Sequence, residues 1–106
     1  MIALTVIAAD KLKNLITKNA SLRLEIANKE PGGLLVISPS PRKDDLITET
    51  MGIKIFLDQE NQKYIEEKYP KGVLICWIGG PNDEGFVIQN PNKGEGYGCG
   101  RVVNIE

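Results

Sequence analysis

The chain has 106 residues, of which 42% are hydrophobic and 25% charged, a balance typical of a single globular domain over residues 1–106. Thirteen basic and fourteen acidic residues give a formal charge of −1, so no net field favours nucleic acid or an anionic membrane as a partner. Histidine is absent, which excludes histidine-ligated zinc sites, Ser-His-Asp and Cys-His catalysis, and proton transfer by histidine.

The apolar N-terminus does not have the features of a signal peptide. No Lys or Arg precedes the apolar run, Asp10 interrupts it, and no small-residue cleavage pattern follows. No run approaches the ~20 apolar residues of a membrane span. Two cysteines, Cys76 and Cys99, are too few for a disulfide framework or a four-cysteine metal site in one chain. We therefore expect a cytoplasmic protein.

Two helices are predicted. Thr5 is a typical N-cap for a helix over residues 6–18, in which Ala9, Leu12, Leu15 and Ile16 form the apolar face. Asp58 is a typical N-cap for a second helix over 59–68, which ends before a proline that cannot donate a backbone hydrogen bond.

Seven short strands are predicted from alternating or continuously apolar runs. The first, over residues 22–27, places Leu22 and Leu24 on a buried face and Arg23 on the solvated face. The seven predicted strands span residues 22–27, 34–37, 45–51, 53–57, 73–78, 86–89 and 101–105. Phe86 is expected in the core. Together, the seven strands and two helices predict a mainly β, α+β domain. A parallel α/β sheet is disfavoured, because most consecutive strands have no helix between them.

Two connections stand out by composition. The turn 28–33 (NKEPGG) ends in Gly33, which is predicted to supply a positive φ. The segment 38–45, with Pro39 and Pro41 followed by charged residues, is expected to be the most exposed connection. The acidic pair Asp44-Asp45 within it, like the pair 66–67 of the second helix, is interpreted as a solvated face.

The C-terminal segment is the most unusual feature of the sequence, since four glycines occur between residues 94 and 100 and one of them directly precedes Cys99. Small neighbours leave the Cys99 sulfur open to a metal, a cluster or another chain. A frayed segment with one exposed thiol is the alternative. Cys76, next to Trp77 in a predicted strand, is interpreted as a core residue.

The order of these elements resembles the HesB/IscA-like family of A-type iron–sulfur cluster carriers. The residues that carry the resemblance are the opening L-T-V-I-A-A, the stretches 52–58 (GIKIFLD) and 85–92 (GFVIQNPN), and the tail 97–100 (YGCG). The match extends over residues 3–101. It implies a HesB-like β-rich sandwich or pseudo-barrel of about seven strands with an N-terminal helix and a second short helix.

The family signature also implies ligands. Its three cysteines comprise one in the turn after the second strand region and two in a C-G-C-G tail. Here the turn position falls at about Pro31 or Gly32, the first tail cysteine is replaced by Tyr97, and only Cys99 matches. The resemblance thus implies Cys99 as the cofactor-binding and metal-ligating residue, with Tyr97 as a further candidate ligand.

From the resemblance we expect an accessory protein of iron–sulfur cluster assembly that binds or transfers iron or a cluster through its Gly-rich tail. Its expected partners are a second copy in a homodimer and assembly or acceptor proteins, with neither nucleic acid nor membrane involved. No enzymatic activity is expected. The alternative is a HesB-like fold that has lost cluster binding and acts as a protein-interaction module.

Overall fold

The computed structural model describes residues 2–16, 20–29, 32–79, 84–89 and 101–105. Within these ranges eight strands and two helices are present. In chain order they are β1 (Ile2–Leu4), α1 (Val6–Leu15), β2 (Ser21–Glu25), β3 (Gly33–Ser38), β4 (Leu46–Thr50), β5 (Ile53–Leu57), α2 (Gln59–Lys68), β6 (Val73–Ile78), β7 (Gly85–Gln89) and β8 (Arg101–Ile105). The mainly β, α+β class expected from the sequence is confirmed.

The eight strands form one mixed sheet in the order β1-β6-β7-β8-β3-β2-β5-β4. Three neighbouring pairs are parallel (β1–β6, β3–β8 and β2–β5), and the remaining four are antiparallel. The two edge strands β1 and β4 approach each other, so the sheet curls into a barrel-like shape. No described helix is long and apolar enough to cross a membrane.

The helices lie at opposite ends of this curled sheet. Helix α1 connects β1 to β2, and its Ala8, Ala9 and Leu12 are buried in the core. Helix α2 connects β5 to β6 and contributes Ile65 to the same core. We call the two ends of the sheet the α1 end and the α2 end. Side chains on the inner face of the strands fill the space between them.

Local capping explains why both helices begin where the sequence predicts. The Thr5 hydroxyl accepts from the Ala8 N–H at 3.2 Å, and the Asp58 carboxylate accepts from the Asn61 N–H at 2.8 Å. The end of α1 was predicted wrongly. The helix stops at Leu15 rather than residue 18, because Ile16 is already extended, and Leu15 is 47% exposed instead of buried.

The strand β1 was not predicted. It has only three residues, and it is held by parallel pairing of Ile2 with Val73 and of Leu4 with Ile75. A segment this short carries no periodicity of its own, so only its distant partner reveals it. The burial of Phe86, which faces Trp77 across β6 and β7, is confirmed.

The interpretation of Arg23 and Asp45 as solvated residues is wrong. The connection 39–45 runs from the α1 end to the α2 end over the outer surface of β2 and β5, and we call it the strap. Both Arg23 guanidinium nitrogens donate to the Asp45 carboxylate, at 3.1 and 2.5 Å, and the two side chains are only 2% and 1% exposed. The guanidinium also lies 5.8 Å from the centre of the Phe56 ring. The buried ion pair therefore holds the strap against the sheet. Asp44, the residue before Asp45, is exposed, as predicted.

Candidate functional site

The turn that corresponds to the first family cysteine lies at the α2 end. The register of the parallel pair β3–β8 places Gly33, which directly follows this turn, opposite Val103. In the antiparallel pair β7–β8, Ile88 faces Arg101 at the same end. The 11-residue segment 90–100, which carries Tyr97 and Cys99, joins Gln89 to Arg101 in the chain. The sheet thus brings the β2–β3 turn next to the strand that follows Cys99.

Asn61 fixes the β2–β3 turn to helix α2. Its side-chain oxygen accepts from two consecutive backbone N–H groups, those of Ile26 at 2.7 Å and Ala27 at 2.9 Å. Its amide nitrogen donates to the Asp58 carboxylate at 2.8 Å. Asn61 is 4% exposed, so these hydrogen bonds are shielded from water. A single buried amide therefore couples the N-terminus of α2 to the turn.

The turn itself is built around a left-handed residue, but not the one predicted. Asn28 adopts φ +61°, a conformation that asparagine tolerates better than most residues. The Lys29 N–H donates to the Ile26 carbonyl at 3.3 Å, and the Gly32 N–H donates to the Lys29 carbonyl at 2.8 Å. Gly33, predicted to supply a positive φ, is instead the first residue of β3 and does not adopt one.

Sequence reasoning did not identify Asn61. The available signal is its position three residues after the N-cap Asp58, where a side chain often returns to the helix N-terminus. Here the amide nitrogen does return to Asp58, while the amide oxygen reaches across to the backbone that follows β2.

The predicted ligands Cys99 and Tyr97, and Pro31 of the turn, lie outside the described residues. Gly32 is described and half-buried. Within the described ranges no three residues among His, Cys, Asp and Glu are grouped to hold a metal ion. The acidic residues at 66 and 67 are exposed, in agreement with their interpretation as a solvated face.

Cys76 was predicted to be a core residue, and this prediction is wrong. It pairs with Val87 across β6 and β7 and is half-buried, while its neighbours Ile75 and Trp77 point to the inner face. Cys76 therefore points outward from the sheet. Burial raises the pKa of its thiol, which disfavours the thiolate needed for metal ligation.

An open pocket lies at the other end of the sheet, where α1 ends and β4 turns into β5. Its lining includes Lys13 of α1, Gly52 of the turn and Lys54 of β5. Neither a thiol nor a carboxylate lines it, so its described residues lack ligands for iron.

The chain is similar in sequence to an iron-binding protein and to an uncharacterised protein. It is 27% identical to the iron-binding protein IscA of Photorhabdus laumondii, with 98% of both chains covered. It is 32% identical over 87 residues to an uncharacterised protein from the nifU 5′ region of Cereibacter sphaeroides, covering 77% of this chain and 76% of that one.

Solved structures agree with these relatives. A crystal structure of IscA with a [2Fe–2S] cluster superposes with a TM-score of 0.68 at 25% identity, covering 96% and 98% of the two chains. Escherichia coli SufA, involved in the biosynthesis of iron–sulfur clusters, superposes with a TM-score of 0.65 at 24% identity, covering 85% of each chain. The sequence matches no family model. Its relatives, together with the order of its elements, show that the chain belongs to the HesB/IscA-like family.

Proposed function

We propose that this protein is an A-type-like accessory protein of iron–sulfur cluster assembly, which binds iron or a cluster through Cys99 and passes it on. The observation that carries the proposal is the register of Gly33 with Val103. It brings the β2–β3 turn beside the strand that begins two residues after Cys99. Asn61 also fixes the backbone of Ile26 and Ala27, which lead into this turn, relative to helix α2.

The number of thiols indicates weak, transient binding. A closed [2Fe–2S] centre takes four cysteine thiolates, whereas Cys99 is the one motif cysteine in this chain. A homodimer would supply two thiolates. The others would come from a small thiol, from an assembly or acceptor protein, or from an oxygen ligand such as Tyr97. An incomplete ligand set suits a carrier that releases its cargo, and we propose no enzymatic role.

The described residues offer no substitute ligand set. Cys76 is held in the middle of β6 and faces outward, and its raised pKa disfavours the thiolate. The proposal therefore keeps Cys99, which matches the family tail, as the cargo ligand, and it includes a cytoplasmic location and contact with other proteins of cluster assembly.

Anaerobic incubation with iron and sulfide, followed by desalting, tests the proposal. We expect wild-type protein to retain iron with a visible charge-transfer band, and Cys99→Ser to lose both. Cys76→Ser is the matched control, because it removes the other thiol of the chain and should retain iron as wild type does. Equal iron retention by wild type and Cys99→Ser would refute cargo binding through Cys99.

A second candidate function is a protein-interaction module that no longer binds a cluster. The replacement of two of the three family cysteines, at the turn and at Tyr97, favours it. It predicts that wild-type protein retains no iron at all and that an assembly or acceptor protein nevertheless binds it. Stoichiometric, Cys99-dependent iron would count decisively against this function.

A further inference from the structure

Two lysines and a serine from three different elements line the open pocket at the α1 end. Lys13 comes from α1, Lys54 from β5 and Ser21 from the start of β2. The parallel register of Leu22 with Ile55 sets Ser21 level with Lys54 on neighbouring strands. The cavity volume is about 200 Å³, below the roughly 300–1,000 Å³ of pockets for drug-sized molecules. A ligand of this pocket is therefore small.

The Lys13 ammonium lies over the turn that joins β4 to β5. A Cβ atom placed on Gly52 would lie 3.9 Å from the Lys13 Nζ atom and 4.0 Å from its Cε atom. Gly52 has a φ of +79°, which residues with a side chain rarely adopt. The bare backbone of this turn therefore leaves the space beside the Lys13 charge open to a ligand.

The donors of the pocket have no described partner. Within the described ranges, Lys13 and Lys54 form no ion pair or hydrogen bond, and the Ser21 hydroxyl forms no hydrogen bond. Two carboxylates compete for the lysines, since Glu49 faces Lys54 across β4 and β5 and Asp10 lies one turn before Lys13 on α1. Both are exposed to water, and neither lines the pocket. The described lining thus carries two positive charges and no negative one.

We infer that this pocket binds a phosphate group, either as free phosphate or as the phosphoryl group of a small ester. A phosphate is tetrahedral, so its oxygens can accept from donors on three separate elements. Lysine binds phosphate as a point charge, whereas the planar fork of arginine is the better match for a planar carboxylate. Ile16 and Ile53 supply apolar lining, which suits the carbon atoms of a small ester.

Binding in this pocket is expected to be weak. Both lysines are exposed, and ion pairs in contact with water contribute little. The C-terminal end of α1, which lies beside the pocket, is negatively polarised and lowers the affinity further. We expect a dissociation constant on the order of 1 mM at low ionic strength, and weaker binding as salt screens the charges.

The inference goes beyond the proposed function and does not depend on it. The pocket lies at the α1 end, whereas the segment that carries Cys99 joins Gln89 to Arg101 at the α2 end. Phosphate binding by the apo protein and Cys99-dependent iron retention are separate measurements. Each can therefore fail without the other.

An NMR titration of the ¹⁵N-labelled full chain with inorganic phosphate tests the inference, with the ionic strength held constant by sodium chloride. We expect saturable shifts of the Ser21, Ile53 and Lys54 amides. Replacement of both pocket lysines, by Lys13→Gln and Lys54→Gln, should weaken binding about fivefold or more. Shifts of the wild-type protein that stay linear up to about 20 mM phosphate would mean an adventitious ion only and would overturn the inference.

A matched control removes the same two charges at the other end of the molecule. Lys63→Gln on α2 combined with Lys71→Gln before β6 changes two exposed lysines, and this variant should bind phosphate as wild type does. Equal weakening by the two double variants would attribute the effect to net charge and overturn the pocket.

Two further titrants identify the ligand chemistry. Glycerol phosphate that binds more tightly than inorganic phosphate would assign the pocket to a phosphate ester, and the reverse order would assign it to free phosphate. Malonate has two carboxylates and thus a comparable charge. Malonate binding as tight as that of phosphate would overturn the assignment to a phosphate group.

Discussion

Arg23 and Asp45 form a two-pronged ion pair that fastens the strap to the outside of β2. The same carboxylate accepts from the Arg42 backbone N–H at 2.6 Å, so it also shapes the end of the strap. The hydrogen bonds from Arg23 hold the pKa of Asp45 below its ordinary value, and the carboxylate in turn raises the pKa of Arg23. The pair fixes a connection that the sequence alone presents as an ordinary exposed loop.

Asp45→Asn should destabilise the protein by about 3 kcal/mol, because it leaves the Arg23 charge buried without its counter-ion. Urea unfolding measures the change. Asp44→Asn is the control, since the neighbouring carboxylate is exposed and asparagine tolerates its φ of +67°. Equal losses in the two variants would show that the ion pair contributes nothing specific.

The same pair predicts a pH dependence of stability. The folded protein binds fewer protons at Asp45 than the unfolded chain does, so this carboxylate contributes stability above its unfolded pKa of about 3.9. That contribution should disappear as the pH falls through the lower folded value. The difference in the free energy of unfolding between wild type and Asp45→Asn should therefore stay constant from pH 7 to about pH 5 and shrink as the pH falls below about 3.9. A constant difference at every pH would contradict the assignment.

Asn61→Ala should cost about 2–4 kcal/mol, because the buried N–H groups of Ile26 and Ala27 both lose their acceptor. Amide hydrogen exchange should accelerate at these two positions more than within the preceding strand β2. Gln59→Ala on the exposed surface of the same helix is the control and should change neither stability nor exchange. Unchanged protection of Ile26 and Ala27 in Asn61→Ala would contradict the role of Asn61.

Met51→Asn should stabilise the protein by about 0.5–1 kcal/mol. Met51 and Gly52 form the two-residue connection between Thr50 and Ile53, and both have positive φ, at +53° and +79°. Asn-Gly suits such a turn far better than Met-Gly. Thermal unfolding measures the gain in stability. Met51→Gln is the control, because glutamine also adds an amide but tolerates a positive φ less well than asparagine does. A gain of equal size in both variants would attribute the effect to polarity instead.

Tyr97→Cys should increase the iron retained after anaerobic reconstitution, because it restores a thiolate two residues before Cys99. Tyr97→Phe separates this effect from the loss of the phenol. If Tyr97→Phe retains as much iron as wild type, the phenol oxygen is not a ligand. If Tyr97→Cys retains no more than Tyr97→Phe, the missing family cysteine does not limit binding.

Part of the frame of the candidate site could be read from the chain, but its assembly could not. The helix start at Asp58 follows from residue types and their immediate neighbours, whereas Cys99 as a ligand stays a prediction. That Gly33 lies opposite Val103 depends on parallel pairing of strands far apart in sequence, which no local pattern encodes. The hydrogen bonds from the β2–β3 turn to Asn61 could not be predicted either, because they join residues 34 and 35 positions apart. From sequence alone, an asparagine near a helix start is expected to cap its own helix.

The sequence by itself determined the N-caps Thr5 and Asp58 and the alternation of Ile53, Ile55 and Leu57. These depend on interactions within one turn of helix or on the period of a strand. Only the tertiary structure decided that Arg23 is buried, because β2 lies in the interior of the sheet and the strap covers its outer surface. A strand covered on both faces buries even its polar side chains. Whether the Arg23 charge is tolerated there is decided by a partner 22 residues away.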